Sequence, residues 1–328
     1  MEYRTLGDSG LAVSTLGIGC NAFGARTDAE EVVRIVDAAI ECGVTLFDTA
    51  DSYSRGESEA LLGRALRGRR DDVVIATKFG MDLDGLYGPD FGRRGSRRYI
   101  RRAVEGSLRR LDTDHIDLYQ LHTPDRVTPM EETLSTLDDL VREGKVRYVG
   151  CSNLRAWEVV DAHWLAGSLG TEAFISAQNE YSLYNRAAEA DLAPACEHLG
   201  VGILPYFPLA YGLLTGKYRR GEDAPEGSRL QAQGRRLRDA NWDIVEALQS
   251  YADDRGVPLL HVAIGGLAAQ PAVSSVIAGV SRAEQVATNA EAVAWDPSAD
   301  DLVALDEAVP PGSGERYDSF ATARERRP

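Results

Sequence analysis

Asp48, Tyr53, Lys78 and His122 are the side chains of this sequence whose types best suit passing a proton to an oxygen atom. Each closes or follows a short apolar run: Phe47-Asp48-Thr49-Ala50-Asp51-Ser52-Tyr53, then Ala76-Thr77-Lys78, then Gln120-Leu121-His122. A free phenol titrates near ~10, and an adjacent ammonium favours its phenolate. A carboxylate beside that ammonium keeps it charged. On this reading Lys78 lowers the pKa of Tyr53, which becomes a general acid at neutral pH for a carbonyl oxygen. Lysine stands only at 78, 145 and 217 among many arginines, so a position that keeps it can be one that needs a compact ammonium. Taken singly, each residue has an ordinary use as well: Asp48 as a helix cap, Tyr53 in loop packing, Lys78 in solvent, His122 on a backbone carbonyl. They work together only if the elements that carry them end at one rim.

Eight β-rich runs could do this: Leu16 to Gly19, Val44 to Phe47, Val73 to Ala76, Ile116 to Leu121, Val146 to Val149, Phe174 to Ala177, Val201 to Leu204, and Val273 to Ile277. Between them, apolar residues recur at helical spacing, as in Val32-Val36-Ala39-Ile40, Ile100-Val104-Leu108-Leu111 and Met130-Leu134-Leu137-Val141. Thr27-Asp28-Ala29-Glu30 and Thr128-Pro129-Met130-Glu131 read as capping boxes, the second with proline at the first helical position. Regular alternation without a midway break predicts a single α/β domain over 1–328, a (β/α)8 TIM barrel rather than an open doubly wound sheet. In a barrel, the ends of consecutive strands form the active face. Tyr3 to Leu6 and Leu11 to Ser14 predict an N-terminal β-hairpin that closes the opposite end. Long loops are expected after the third and seventh barrel strands, at Met81 to Gly95 and Leu209 to Asn241, and a mobile polar tail over 310–328.

Composition narrows the function. The chain has 328 residues, 44% hydrophobic and 27% charged, and a formal charge of −15 that disfavours nucleic acid as a partner. No apolar run is long enough for a membrane span, and the N-terminus lacks a signal-like apolar stretch, so the expected location is cytoplasmic. Cys20, Cys42, Cys151 and Cys196 lack the spacing of a disulfide framework or metal site, so no metal is expected. Gly17-Ile18-Gly19-Cys20-Asn21-Ala22 nominally matches a dinucleotide fingerprint, but the next helix cap, at Thr27, falls several residues too late to meet a pyrophosphate.

The four-residue set, together with Gly150-Cys151-Ser152-Asn153, Tyr206-Phe207-Pro208-Leu209 and Gly212 to Tyr218, resembles the aldo/keto reductase superfamily from about residue 3 to about residue 308. His122-Thr123-Pro124-Asp125 and Thr128 to Thr133 are most similar to the bacterial reductases related to potassium-channel β-subunits; those subunits carry asparagine at the His122 position. The resemblance implies NADPH across the barrel mouth, hydride transfer to a carbonyl carbon, Tyr53 as proton donor tuned by Lys78 and Asp48, and His122 orienting the carbonyl. It further implies that Ser152, Asn153 and Gln178 hold the carboxamide, that Tyr206 stacks on the nicotinamide, that Gly19, Cys20 and Asn21 border its ribose, and that Asp48 also belongs to the cofactor site. Pro208, Leu209, Gly212 and Lys217 match the pyrophosphate segment, and Gly279, Ser281, Arg282, Gln285 and Asn289 the adenosine site. Ser281 and Arg282 precede a short helix whose free amides suit phosphate, and a guanidinium binds a 2′-phosphate in two places, which favours NADPH over NADH.

The expected partner is a small carbonyl compound, with Phe23, Tyr53, Tyr87, Phe91 and His122, joined by Phe207, lining its pocket. Two other functions remain open on these residues: a barrel lyase forming a Schiff base on Lys78, and an NADPH-holding redox sensor with slow turnover. The sequence does not fix the oligomeric state.

Overall fold

The structure, a computed structural model, describes residues 1–231 and 233–317. The chain opens with an antiparallel hairpin, β1 (Tyr3–Thr5) and β2 (Ala12–Ser14), Tyr3 lying opposite Ser14. At its tip Gly7 has φ +59° and lies so close to Gly200 O that a Cβ would stand 2.4 Å away, so the turn requires glycine. Eight parallel strands follow: β3 (Leu16–Gly19), β4 (Leu46–Asp48), β5 (Val74–Phe79), β6 (Ile116–Leu121), β7 (Val146–Ser152), β8 (Ser176–Gln178), β9 (Gly202–Ile203) and β10 (Val276–Gly279). They pair in chain order from β3 to β9, and β10 pairs with β3. Parallel bridges Ile203–Val273 and Tyr206–Ile277 close the ring into the expected (β/α)8 barrel. All eight predicted runs become strands, several of them shifted by a few residues toward the C-terminus.

The helices are α1 (Ala29–Glu41), α2 (Glu57–Ala65), α3 (Arg97–Leu111), α4 (Met130–Arg142), α5 (Ala156–Leu169), α6 (Leu192–Leu199), α7 (Gly234–Arg238), α8 (Trp242–Asp254), α9 (Leu259–Ala268), α10 (Glu284–Val293) and α11 (Ala299–Ala308). They form because apolar residues return once per turn: α1 buries Val32, Ile35, Val36 and Ala39, and α3 buries Ile100, Ala103, Val104, Leu108 and Leu111. Both predicted caps need correction. At α1 the cap is Asp28, which accepts from Glu31 N at 2.9 Å, because the helix starts one residue later than expected. At α4 Pro129 is itself the cap, and the Thr128 hydroxyl donates to Asp125 instead of the helix.

The period-two alternation of strands sorts the barrel interior into layers. Leu46, Ala76, Leu118, Leu204 and Ile277 pack with Leu6 and Val13 of the hairpin at one end. Two residues further along three of these strands stand Asp48, Lys78 and Gln120, all buried. The apolar layer and its hairpin plug thus hold a polar layer at the C-terminal rim. Part of the predicted tail is tied down: Arg186 N donates to Ser313 O at 2.7 Å, and Tyr317 Oη accepts from Ala156 N at 3.1 Å. The remainder of that prediction, 318–328, lies outside the described residues. No helix among the described residues is long and apolar enough to cross a membrane.

Candidate active site

β4 ends at Asp48, and the register sets Gly19 opposite Asp48 and Lys78 opposite Gln120, while Ser152 faces Gln178. These side chains meet inside the rim. Asp48 is the hub: Oδ2 accepts from Lys78 Nζ at 2.7 Å, and Oδ1 from Gln178 Nε2 at 2.8 Å and Gln120 Nε2 at 3.3 Å. Lys78 is fully buried, and its ammonium also donates to Thr49 O at 2.8 Å and Tyr53 Oη at 3.4 Å. An ammonium has three protons, so all three are engaged. Tyr53 therefore receives a bond from Lys78, and no acceptor among the described residues takes its own proton.

Burial disfavours the Lys78 ammonium, but Asp48 and the Tyr53 oxygen outweigh it, and the pKa is raised. Tyr53 departs from expectation. Burial pushes its phenol above the ordinary value, and the pull of Lys78 does not overcome that push. The phenol thus keeps its proton throughout the neutral range. His122 meets the Tyr53 ring edge-on at 5.9 Å, with Nδ1 3.4 Å from Ser52 Oγ. Burial, and then the charge of Lys78, hold its pKa well below the usual imidazole range, so it is neutral.

Asn153, in the left-handed region at φ +60°, donates to His122 O and Ser152 Oγ, each at 2.9 Å, and accepts from Tyr206 Oη at 2.8 Å. Ser152 donates to Gln178 O at 2.7 Å. Ser152, Asn153, Gln178 and Tyr206 thus form one bonded arc beside His122. Gly19 and Gly279 lie side by side, leaving bare backbone next to Asp48; a Cβ on Gly279 would meet only Asn21 Oδ1, at 3.5 Å. Cys20 is fully buried and its carbonyl accepts from Ser58 Oγ, so it borders the site through its backbone.

Farther round, Pro208 and Leu209 lead into a tight turn, Ala210–Thr215, in which Tyr211 and Gly212 are left-handed. Lys217 is exposed, with its ammonium 5.3 Å from the Tyr218 ring. The long loop returns here with a residue that the sequence reading missed. The Arg229 guanidinium lies 5.3 Å from the Phe207 ring and 5.2 Å from that of Tyr211, and Arg236 sits 3.7 Å over Tyr211. Burial and the neighbouring charges of Arg26 and Arg236 lower the Arg229 pKa. Bare backbone at Gly19 and Gly279 and a cluster of arginines around Tyr211 suit a nicotinamide dinucleotide with its pyrophosphate.

At the adenosine end, the amides of Ser281 and Arg282 donate to Gln285 Oε1 at 2.8 and 3.1 Å, and Ala283 N donates to Glu31. The amides expected to meet phosphate are therefore bonded within the protein, while the Arg282 side chain is exposed. Asn289 is buried on α10.

The expected aromatic pocket does not assemble. Phe23 is fully buried in the main core. The loop after β5 folds back onto α3, where Arg102 takes Tyr87 O at 3.0 Å and Arg110 takes Tyr87 Oη at 2.7 Å. Phe91 is 81% exposed. Tyr87 and Phe91 line a separate cavity of about 130 Å³ with Tyr99, Arg98 and Arg102, none of which touches the Asp48 group. Of the expected lining, Tyr53 and His122 meet in the site, and Phe207 packs on Tyr206 and Tyr211 at 5.0 and 4.3 Å. Gln120, also missed by the sequence reading, was signalled only by its place two residues before His122 on one strand.

A closed parallel barrel bearing a buried carboxylate and ammonium and a half-buried phenol at its C-terminal rim defines an oxidoreductase acting on carbonyl or alcohol groups. The model of the aldo/keto reductase family matches residues 15–310, and the chain belongs to that family, whose members generally use NAD(P)H. Among its relatives are an uncharacterized oxidoreductase of Bacillus subtilis (strain 168), 36% identical over 98% of this chain and 100% of its own length, and a probable voltage-gated potassium channel subunit beta of Oryza sativa subsp. japonica, 35% identical over the same shares. The L-glyceraldehyde 3-phosphate reductase of Escherichia coli O157:H7 is 35% identical over 89% of this chain and 88% of its own.

Proposed function

We propose that this chain is a single-domain cytoplasmic enzyme that uses NADPH to reduce an aldehyde or ketone to the alcohol, reversibly, with Tyr53 as proton donor. What carries the reading is the hydrogen bonding of Lys78: its three protons are engaged, so the Tyr53 oxygen is held as an acceptor while its proton remains free to leave. The bound cofactor supplies a hydride to the carbonyl carbon. As negative charge builds on the carbonyl oxygen, Tyr53 gives up its proton, and the phenolate left behind is stabilised by the Lys78 ammonium, which Asp48 keeps charged. Neutral His122 serves as a hydrogen-bonding group that orients the carbonyl. Ser152, Asn153, Gln178 and Tyr206 would hold the nicotinamide end, and Arg229, Lys217 and Arg282 its phosphates. The partner is a small carbonyl compound, with no nucleic acid or membrane involved.

The test follows absorbance of reduced cofactor for a panel of carbonyl compounds with NADPH and with NADH. Wild type should turn over with NADPH preferred, and Tyr53→Phe should retain NADPH binding while losing about 10²- to 10⁴-fold in kcat. Unchanged turnover in Tyr53→Phe refutes the proton assignment. A single bound hydride transfer without steady-state turnover would favour a redox-sensing module instead.

A further inference from the structure

Outside the barrel wall, behind the proton donor, lies a second buried polar group for which the reaction has no direct use. Glu59 of α2 is fully buried; its Oε1 accepts from Thr77 Oγ at 2.6 Å and its Oε2 from Arg110 Nε at 2.7 Å. Thr77 immediately precedes Lys78 on β5. Arg110, in the last turn of α3, lies under Gly56, where a Cβ would stand 2.5 Å from its Nε. Gly56 (φ +91°) ends the turn Tyr53–Gly56, in which Ser54 (φ +49°) and Arg55 (φ +55°) are also left-handed. Such a backbone persists only where its surroundings hold it.

The Lys78–Tyr53 bond, at 3.4 Å the longest of the three made by the ammonium, joins two separate elements: β5 and the turn that begins α2. Within the site, among the described residues, no other hydrogen bond ties these two elements side chain to side chain. Behind it, Thr77 and Glu59 do so directly, and Arg110 both neutralises Glu59 and props the turn.

We propose that Glu59 and Arg110 are positioning residues that fix the turn bearing Tyr53 against β5, and so set the distance from the phenol oxygen to Lys78. The inference rests on Tyr53 being the proton donor. Releasing the link lets the turn drift relative to β5, and a displacement of about 1 Å in a reacting group can cost on the order of 10²-fold in rate. Binding of cofactor and carbonyl, governed by groups elsewhere on the rim, should not change.

The experiment compares full-length wild type, Thr77→Val, Thr77→Ser, Arg110→Met and Tyr53→Phe by kcat and KM for one reducible carbonyl, by NADPH affinity from fluorescence titration, and by thermal melting. Thr77→Val keeps the shape of the side chain and removes only the hydroxyl, so it remains informative should Arg110→Met not fold. Thr77→Val and Arg110→Met are expected to lose about tenfold to a hundredfold in kcat with KM and NADPH affinity unchanged, and Thr77→Ser to recover kcat. Wild-type kcat in Thr77→Val would overturn the proposal, as would a loss shared equally by NADPH affinity or not recovered by serine. If Tyr53→Phe is inactive while Thr77→Val is normal, only this inference fails; if Tyr53→Phe is as active as wild type, the proton-donor reading fails first.

Discussion

Arg282 shows at the scale of one residue how structure redistributes a role. The sequence suggests that backbone amides and a guanidinium share a phosphate, yet Gln285 already occupies the amides of Ser281 and Arg282. On the proposed use of NADPH, discrimination of the 2′-phosphate would fall to one exposed side chain. A hydrogen bond to a charged group contributes about 1.5–3 kcal/mol, so Arg282→Ala should raise KM for NADPH about tenfold to a hundredfold and leave NADH unaffected. Steady-state kinetics with both cofactors checks this, and equal losses would remove Arg282 from 2′-phosphate recognition. Asp48, Lys78 and His122 were legible in the sequence because each closes or follows a strand. Gln120, Glu59 and Arg229 were not, because their roles depend on which neighbour a side chain meets across a sheet or loop. The lowered Tyr53 pKa also failed as an expectation: the sequence names the nearby ammonium but does not reveal how deeply the ring is enclosed.

At the scale of elements, strands and helices could be read because apolar periodicity survives in one dimension, and the errors fall at their ends. The loop after β5 could be located but not folded, so Tyr87 was assigned to substrate when Arg110 and Arg102 hold it against α3. The connection from β4 to α2 carries a less visible feature. Asp51 is fully buried with no well-formed hydrogen bond to either oxygen, and burial, then the neighbouring Glu59 carboxylate, raise its pKa well above the aspartate range against the opposing pull of Arg110, Tyr87 and Lys78. The folded chain therefore keeps a proton that the unfolded chain releases near pH ~3.9. Since the native state binds more protons, stability falls as pH rises, by about 1.4 kcal/mol per pH unit between ~3.9 and the folded pKa. Asparagine cannot titrate, so the stability of Asp51→Asn relative to wild type should improve as pH rises above ~3.9, the carboxylate value of the unfolded chain. Denaturant unfolding across that range measures the slope, and parallel stability curves would show that Asp51 is ionised in the folded protein.

For the whole molecule, eight strands make a site only because the ring closes and its floor is filled. With a formal charge of −15 the overall field repels anions, so the proposed dinucleotide would have to be held by local groups such as Arg229 and Arg282, and these need a fixed rim. The rim is fixed from below: Leu46, Ala76 and Leu118 lie one inward step beneath Asp48, Lys78 and Gln120, and the hairpin residues Leu6 and Val13 complete that layer. The hairpin was legible from its two short runs around Gly7-Asp8-Ser9-Gly10, and closure from the regular alternation of strands and helices, but the closing bridge at Tyr206 was not, since that residue lies beyond the run Val201 to Leu204 and pairs with Ile277 as a single bridge. Leu6 is fully buried in this layer. Leu6→Ala should cost about 2–5 kcal/mol through lost burial and the cavity left behind. Because the cavity opens at the end of the barrel away from Tyr53, kcat at a temperature where the variant remains folded should match wild type. Denaturant unfolding paired with kinetics tests both parts: a loss under about 1 kcal/mol would mean the hairpin merely covers the barrel end, whereas a fall in kcat matching the stability loss would mean that floor and rim move as one unit.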